Sequence, residues 1–231
     1  MDFVEGEILL IDKPYRWTSF DVVGKIRWLI CRKLKLKKLK VGHTGTLDPL
    51  ATGVVVVCTG KKTKLIDELQ QHSKEYVATL QLGATTPSYD LEKPIDKTYP
   101  TEHITLNLIE QTLPQFIGEI WQVPPTFSAV KLDGKRAYQY ARKGEEVELK
   151  AKQLVIDKLQ LLDYDDQRKQ LIIRVVCSKG TYIRALARDI GEALHSGAHL
   201  IALRRTRVGD ARVEDCMSIE QIENMINTII L

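Results

Sequence analysis

The chain has 231 residues, of which 44% are hydrophobic and 28% charged, enough to bury a core and still dissolve. No apolar run approaches the roughly 20 residues of a membrane helix, and the acidic N-terminal segment lacks the basic start of an export signal. The four cysteines, Cys31, Cys58, Cys177 and Cys216, are far apart and form no C-x-x-C pair. Reduced thiols in a cytoplasmic protein are therefore expected.

The net charge of +4 is unevenly distributed. One basic run consists of Arg32, Lys33, Lys35, Lys37, Lys38 and Lys40, and a second cluster of Arg204, Arg205 and Arg207. Such clusters favour a partner that carries phosphates, such as a nucleic acid. A solvated surface that only keeps the protein soluble is an equally good interpretation of charge alone.

The N-terminal third predicts a strand, a helix, a loop and a second strand. The strand covers Glu7–Asp12. Thr18 and Asp21 then form a variant capping box, after which apolar residues recur at helical spacing, namely Phe20, Val23, Ile26 and Ile30. The stretch Val41–Gly53 is rich in Gly, Thr and Pro and predicts a loop, whereas the β-branched run Val54–Cys58 predicts a buried strand. Leu65, Ile66 and Leu69 indicate a short helix.

The remaining two thirds mix strands and helices without a regular βαβ order. Lys74–Leu82 alternates cleanly, with Tyr76, Ala78, Leu80 and Leu82 on one face, and is followed by a loop over Ala84–Pro100. Further strands are predicted to end at Val123 and to cover Val155–Leu162, Leu171–Cys177 and His199–Arg207. Helices are predicted over Thr105–Phe116, Tyr138–Arg142, Tyr182–Leu194 and Ser218–Ile230, the last with a capping box of Ser218 and Gln221. We expect an α+β fold with a largely antiparallel sheet and one domain over residues 1–231.

Two motif-like stretches lack what their chemistry requires. Gly53–Thr63 resembles a phosphate-binding P-loop, but six residues separate its first two glycines, and Lys62 stands where Ser or Thr belongs. His195 and His199 are four residues apart, as metal ligands can be, but Gly197 lies between them and no acidic or thiol ligand stands at fixed spacing nearby. Nucleotide hydrolysis and a metal site are therefore not expected.

The most informative stretch is Val41–Gly53, in which Asp48 precedes Pro49. Its three glycines allow tight turns, and the proline keeps Asp48 out of the helical conformation. A carboxylate held on such a loop can be a nucleophile, a base or a turn cap, and chemistry alone favours the cap.

The same stretch closely resembles the signature of the TruB family, the synthases that make pseudouridine at position 55 of tRNA. Other blocks match in order along nearly the whole chain: Lys13-Pro14, Lys74–Tyr76, Val123–Lys131, Gly134–Arg142, Cys177–Arg184 and Leu203–Thr206. The resemblance implies the pseudouridine synthase fold and an isomerase that breaks the N-glycosidic bond, turns a flipped-out base and joins its C5 to the sugar.

The resemblance also implies the roles of individual residues. Asp48 is the essential nucleophile or charge stabiliser, Arg184 its cationic partner, and Tyr76 stacks on the uracil, where its hydroxyl could assist removal of the C5 proton. The implied substrate-binding residues are His43, which fills the space left by the base, Tyr182 and Leu203, which line the pocket, and Lys13, Asp90 and Lys131. The basic run, Arg204 and Arg205 become candidate contacts to the RNA backbone. The implied partner is the T arm of tRNA, with no membrane or obligate protein partner, and no metal or organic cofactor is implied.

Two departures from the family pattern stand out. Thr86-Pro87-Ser88 replaces a stretch in which many members have an Asp between threonines, although Asp90 keeps the following acid. The chain also ends about two dozen residues after Arg207, which leaves no room for the small RNA-binding barrel that many relatives carry at the C-terminus. A non-catalytic RNA-binding module on the same scaffold and an unrelated nucleotide-binding enzyme remain the alternatives.

Overall fold

The computed structural model describes residues 1–128, 130–132, 134–141, 145 and 147–229. The chain divides into two compact units, residues 1–76 with 203–231 and residues 77–202. Both boundaries fall inside strands, so this division does not test the prediction of one domain. The sheet is mixed and mostly antiparallel, which confirms the α+β fold class.

The first unit places a helix and a loop around a buried strand. Its elements are β1 (Ile8–Lys13), α1 (Ser19–Lys33), β2 (Val41–His43), β3 (Ala51–Thr59), α2 (Ile66–Leu69), the start of β4 (Lys74–Leu82), the end of β12 (Ala198–Val208), β13 (Ala211–Arg212) and α6 (Ile219–Asn227). β3 pairs antiparallel with β1 and β2 and parallel with β12. Its four valines, Val54–Val57, are all buried, as the apolar run predicted.

The second unit contains the remaining elements. These are the rest of β4, β5 (Ala84–Thr85), β6 (Lys97–Thr98), α3 (Leu106–Thr112), β7 (Gly118–Gln122), β8 (Lys131–Leu132), β9 (Lys135–Arg136), α4 (Ala137–Ala141), β10 (Lys152–Asp165), β11 (Gln170–Cys177), α5 (Ile183–Ala193) and the start of β12. β10 forms a long antiparallel hairpin with β11 and pairs on its other side with β7. The alternation predicted for β4 is confirmed, because Tyr76, Ala78, Leu80 and Leu82 are all buried.

Helix α1 begins as predicted but buries a different face. Thr18 and Asp21 form the capping box, and the buried side chains are Ser19, Val22, Val23, Ile26, Leu29 and Ile30. The assignment of Phe20 to the apolar face is wrong, since 74% of its side chain is exposed. At about 100° per residue, Phe20 lies about 120° round the helix from the centre of the buried stripe.

The loop predicted over Val41–Gly53 is shorter than expected. Val41–His43 forms β2, with His43 opposite Val57, and Ala51–Gly53 already belongs to β3. The true loop is therefore residues 44–50, which includes Asp48. Pairing with neighbouring strands of the sheet sets the ends of this loop, and the local sequence does not predict that pairing.

Candidate active site

The loop that carries Asp48 is tied to the strands that flank it. The backbone N–H of Thr44 donates to the Val56 carbonyl (3.0 Å), and the N–H of Ala51 donates to the carbonyl of Asp48 (3.1 Å). Gly53, just beyond the loop, has φ +108°, and a Cβ there would lie 2.1 Å from the Arg205 carbonyl oxygen. Only glycine at position 53 lets the parallel strands β3 and β12 approach this closely next to the loop.

Lys13 supports one side of this loop. Its side chain is fully buried, and its ammonium donates to the carbonyls of Pro14 (3.0 Å), Trp17 (2.6 Å) and Pro49 (3.3 Å). Burial lowers the pKa of Lys13 to about 8, although the negative charge of Asp48 raises it. Lys13 therefore holds Pro49, the residue next to Asp48, through a hydrogen bond. A role of Lys13 in substrate binding stays a prediction.

Backbone and hydroxyl contacts reinforce the same side. The N–H of Arg16 donates to the Pro49 carbonyl (2.8 Å). Ser19, at the start of α1, accepts a hydrogen bond from the Leu47 N–H (2.8 Å) and donates its hydroxyl to the Leu47 carbonyl (3.1 Å). Residues 47 and 49, on either side of Asp48, are thus both fixed where β1 ends and α1 begins, Leu47 to Ser19 and Pro49 to Arg16.

Arg205 supports the residues of the loop that precede Asp48. Only 2% exposed, it donates from Nε to the Val54 carbonyl (2.7 Å), from Nη1 to the Thr46 carbonyl (3.3 Å) and from Nη2 to the Gly45 carbonyl (3.1 Å). The expectation that Arg205 contacts the RNA backbone is wrong, because its side chain is buried and all three guanidinium nitrogens donate to backbone carbonyls. Its neighbour Arg204 pairs with Asp12 (2.7 Å).

His43 and Leu203 border the same loop. His43 precedes it, and its Nδ1 accepts a hydrogen bond from the Gly45 N–H (3.2 Å). Burial and then the nearby Arg205 charge lower the pKa of His43, so its ring is neutral near pH 7. Leu203 is half-buried and lies opposite Ala51, the first residue of β3 after the loop.

In the second unit, Arg184 on α5 is held by the loop that departs from the family pattern. It is 5% exposed, and it donates to the carbonyls of Ser88 (3.2 Å) and Phe127 (3.0 Å), while its Nε lies 3.7 Å from a carboxylate oxygen of Asp90. Ser88 is itself fully buried. The altered Thr86-Pro87-Ser88 stretch therefore supplies a ligand for Arg184 through its backbone, which does not depend on the missing Asp side chain.

Tyr76 and Tyr182 lie where the sequence predicted a strand and the start of a helix. Tyr76 is buried on β4, and Tyr182 caps the N-terminus of α5, where its N–H donates to the Gln122 side chain (2.9 Å). Lys131 lies on β8, but its side chain falls outside the described part of the structure. Arg142, in a matching block, also lies outside it.

Most residues of the basic run at the end of α1 are exposed. Arg32, Lys35, Lys37, Lys38 and Lys40 are exposed, whereas Lys33 donates to the Asn227 carbonyl (2.7 Å). Binding of RNA by this run stays a prediction. Within the described residues, no group of three or more His, Cys, Asp or Glu side chains could hold a metal, and no helix is long and apolar enough to cross a membrane.

The support of the loop by Arg205 was not predicted from the sequence. The family resemblance identified the block Leu203–Thr206, but two adjacent arginines in a sequence do not show which one is buried. The alternation of β12 is the one available signal, since it places Arg204 and Arg205 on opposite faces.

Comparison with known proteins identifies the family of this chain. The family described as "TruB family pseudouridylate synthase (N terminal domain)" matches residues 32–183, and "tRNA pseudouridylate synthase B C-terminal domain" matches residues 184–229. The chain is 66% identical over 236 residues to tRNA pseudouridine synthase B of Phocaeicola vulgatus, covering 98% of this chain and 100% of that protein. It is 67% identical over 229 residues to the protein of the same name from Bacteroides thetaiotaomicron, covering 98% and 95%.

A solved structure shares the fold. A chain from the "Crystal Structure of a Cbf5-Nop10-Gar1 Complex" superposes with a TM-score of 0.70 and 30% identity, over 96% of this chain and 54% of that one. The present chain thus spans about half the length of that protein. The two family matches together cover residues 32–229 without a gap, and the relative from Phocaeicola vulgatus matches over its whole length. The chain therefore belongs to the TruB family of tRNA pseudouridine synthases, which are isomerases.

Proposed function

We propose that this enzyme converts uridine to pseudouridine at position 55 in the T loop of cytoplasmic tRNA, with Asp48 as the essential carboxylate. The observation that carries the proposal is the support of the Asp48 loop from both sides by two buried cations, Lys13 and Arg205. A loop that served only as a turn would not need two buried charges, each of which costs free energy to remove from water. Holding a carboxylate in a fixed geometry is what nucleophilic or electrostatic catalysis requires.

The proposed reaction retains every atom of the uridine. The bond between N1 and C1′ breaks, the base rotates, C5 bonds to C1′, and the proton on C5 leaves while N1 gains one. Asp48 either attacks the nucleotide or stabilises the positive charge that develops on the sugar. No electron donor or acceptor is needed, because the product is an isomer of the substrate.

Arg184 and Tyr76 complete the proposed catalytic set. The fork of Arg184 is fixed by two carbonyls and Asp90, so its orientation is set before substrate binds. A fixed guanidinium stabilises an ionised carboxylate partner better than lysine, and Asp48 is the proposed partner. Tyr76 supplies a flat ring for the flipped uracil and a hydroxyl for proton transfer.

Removing a base from its stack costs roughly a few kcal/mol, which the protein must recover by filling the space and binding the base. His43 is proposed to occupy the vacated space, with a neutral ring that needs no counter-ion. Leu203 and Tyr182 are proposed to line the pocket, and Asp90 to act through Arg184. The T arm is the proposed recognition element, because RNA loops are bound through shape and splayed bases.

Site-specific mapping of the product tests the proposal. A T-arm transcript with uridine at position 55 is incubated with enzyme, treated with a carbodiimide that leaves a stable adduct on pseudouridine, and read by primer extension. The expected result is one stop, at position 55, that disappears when the transcript carries cytidine there. A stop at another uridine would contradict the assigned position, and no stop on the T arm or on full-length unmodified tRNA would contradict the activity.

A further inference from the structure

The outward face of α1 carries large apolar side chains that folding does not explain. Phe20 is 74% exposed and Trp28 is 49% exposed. They are eight residues apart with Gly24 midway, so the three positions lie along one line on the helix surface. We call Phe20, Gly24 and Trp28 the outer stripe of α1.

The outer stripe has a recess at its centre. A Cβ added at Gly24 would meet nothing within 4 Å. A depression of about 490 Å³ lies here and is lined by Arg16, Trp17, Phe20, Asp21, Gly24 and Lys25. Glycine in a helix interior destabilises it by roughly 0.5–1 kcal/mol relative to alanine, and no neighbour requires it here.

Cations lie against Trp28 and line the recess of the outer stripe. Arg32 lies with its guanidinium carbon 5.1 Å from the centre of the Trp28 ring, and the Lys25 ammonium lies 5.3 Å from the same centre. Arg16 lines the recess, and the exposed basic run continues beyond Arg32. Lys25 also pairs with Glu223 (2.8 Å), and the one acid of the recess, Asp21, accepts hydrogen bonds from Thr18 in the capping box. The balance of the charges left for a partner is positive.

The outer stripe also reaches the candidate site. The rings of Phe20 and His43 meet edge to face, with centres 5.5 Å apart. His43 borders the Asp48 loop, so an RNA bound at that loop has a continuous surface onto Phe20 and the recess.

We propose that the outer stripe of α1 is an RNA-binding surface on which unpaired nucleotides of the substrate tRNA, other than the target uridine, stack on Phe20 and on Trp28 while Arg16 and Arg32 contact their phosphates. Exposed aromatics interleaved with cations are how proteins bind single-stranded nucleic acid without reading its sequence. The net positive charge of this surface favours RNA over a second copy of this chain, because two copies facing each other here would both present a positive surface. The proposal rests on the proposed function only in naming tRNA as the RNA.

Gly24 provides the sharpest test, because a side chain there blocks the recess without touching the core. Gly24→Glu and Gly24→Lys should both fold, and should melt no lower than the wild-type protein, since both residues favour a helix more than glycine does. The binding of a fluorescent T-arm transcript is measured by anisotropy at fixed salt. Gly24→Glu should weaken binding at least tenfold, whereas Gly24→Lys should bind within threefold of wild type, because its added cation offsets the blocked recess.

Trp28→Ala tests stacking directly. The loss of one stacked base is expected to weaken transcript binding about 5- to 150-fold. The matched control is Trp121→Ala, which removes a tryptophan on β7 that is 71% exposed, and it should bind like wild type. Conversion under saturating transcript should be nearly unchanged in Trp28→Ala, so the defect appears in KM and not in kcat.

Two outcomes would overturn the RNA-binding surface, and one would overturn the role of its charge. Wild-type affinity in both Trp28→Ala and Gly24→Glu would show that RNA does not bind the outer stripe. Equal loss of affinity in Gly24→Glu and Gly24→Lys would keep RNA in the recess but would show that charge does not select the partner. A change from dimer to monomer in Trp28→Ala, measured by sedimentation without RNA, would assign the stripe to a second copy. Failure of the proposed function is separate, since it appears as absent conversion at position 55 by the wild-type enzyme.

Discussion

Replacing Arg205 by Met should destabilise the protein strongly. The substitution removes three charge-assisted hydrogen bonds, each contributing roughly 1.5–3 kcal/mol, and leaves the carbonyls of Gly45, Thr46 and Val54 without this donor. Replacing the buried guanidinium also removes the cost of its desolvation, which offsets part of this loss. We therefore expect the free energy of unfolding to fall by about 3–5 kcal/mol. For a chain of this length that corresponds to a fall of about 6–20 °C in Tm.

Circular dichroism melts and urea titration measure this loss. Arg205→Lys should lie between Met and wild type, because one ammonium keeps the charge but cannot reach three carbonyls as a planar fork does. Arg212→Met on β13 is the control: it removes an exposed arginine and should change stability by less than about 0.5 kcal/mol. Below the melting transition, Arg205→Lys should reduce kcat more than it raises KM, because the loop that carries Asp48 is less well held. A Tm for Arg205→Met within the range of the Arg212→Met control would refute this role of Arg205.

Three further perturbations test Lys13, Arg184 and the basic run. The pKa of Lys13 is about 8 in the folded protein, against an ordinary value of 10.5. Between these two values the unfolded chain binds more protons than the folded protein. The contribution of Lys13 to the free energy of unfolding therefore rises with pH in that window. The unfolding free energy of wild type relative to Lys13→Met should therefore rise by about 2 kcal/mol from pH 8 to 10 in urea titrations, and a flat difference would contradict the shift. Arg184→Lys should impair turnover although it keeps the charge, and Arg184→Met should impair it more, with RNA binding measured by anisotropy falling much less than turnover; equal losses would point to a binding role. Replacing Lys35, Lys37 and Lys38 by Gln should reduce the slope of log affinity against log salt by roughly 0.7–0.9 for each phosphate that the run no longer neutralises, and an unchanged slope would identify the run as solvated surface.

The fold was predictable wherever local pattern and tertiary environment agreed. The alternation of Lys74–Leu82, the valines of β3 and the two capping boxes at Thr18 and Ser218 each identify their element without knowledge of its neighbours. The prediction was wrong where pairing with another strand, or the orientation of a helix on the core, decides the outcome. β2 forms because β3 lies beside it, and Phe20 is exposed although its spacing suggested the core.

The candidate site shows the same division. Gly, Asp and Pro at fixed spacing mark a tight loop at Asp48, but only the matching family blocks imply its chemistry, and that role stays a prediction. The hydrogen bonds that hold the loop could not be predicted, because Lys13 and Arg205 act on carbonyl oxygens, and every residue has one. A basic residue that binds carbonyls and one that binds phosphate look alike in a sequence, and only burial distinguishes Arg205 from Lys38.

The central claim is that Asp48 performs the chemistry, and Asp48→Asn tests it most directly. The substitution nearly preserves size and shape, so the variant should melt like wild type, as should the control Asp157→Asn at an exposed position on β10. Pseudouridine at position 55 is measured by carbodiimide derivatisation, since the isomerisation changes no mass. We expect wild-type turnover in Asp157→Asn and none in Asp48→Asn, while T-arm binding persists. Turnover of Asp48→Asn at the wild-type rate would contradict this role of Asp48.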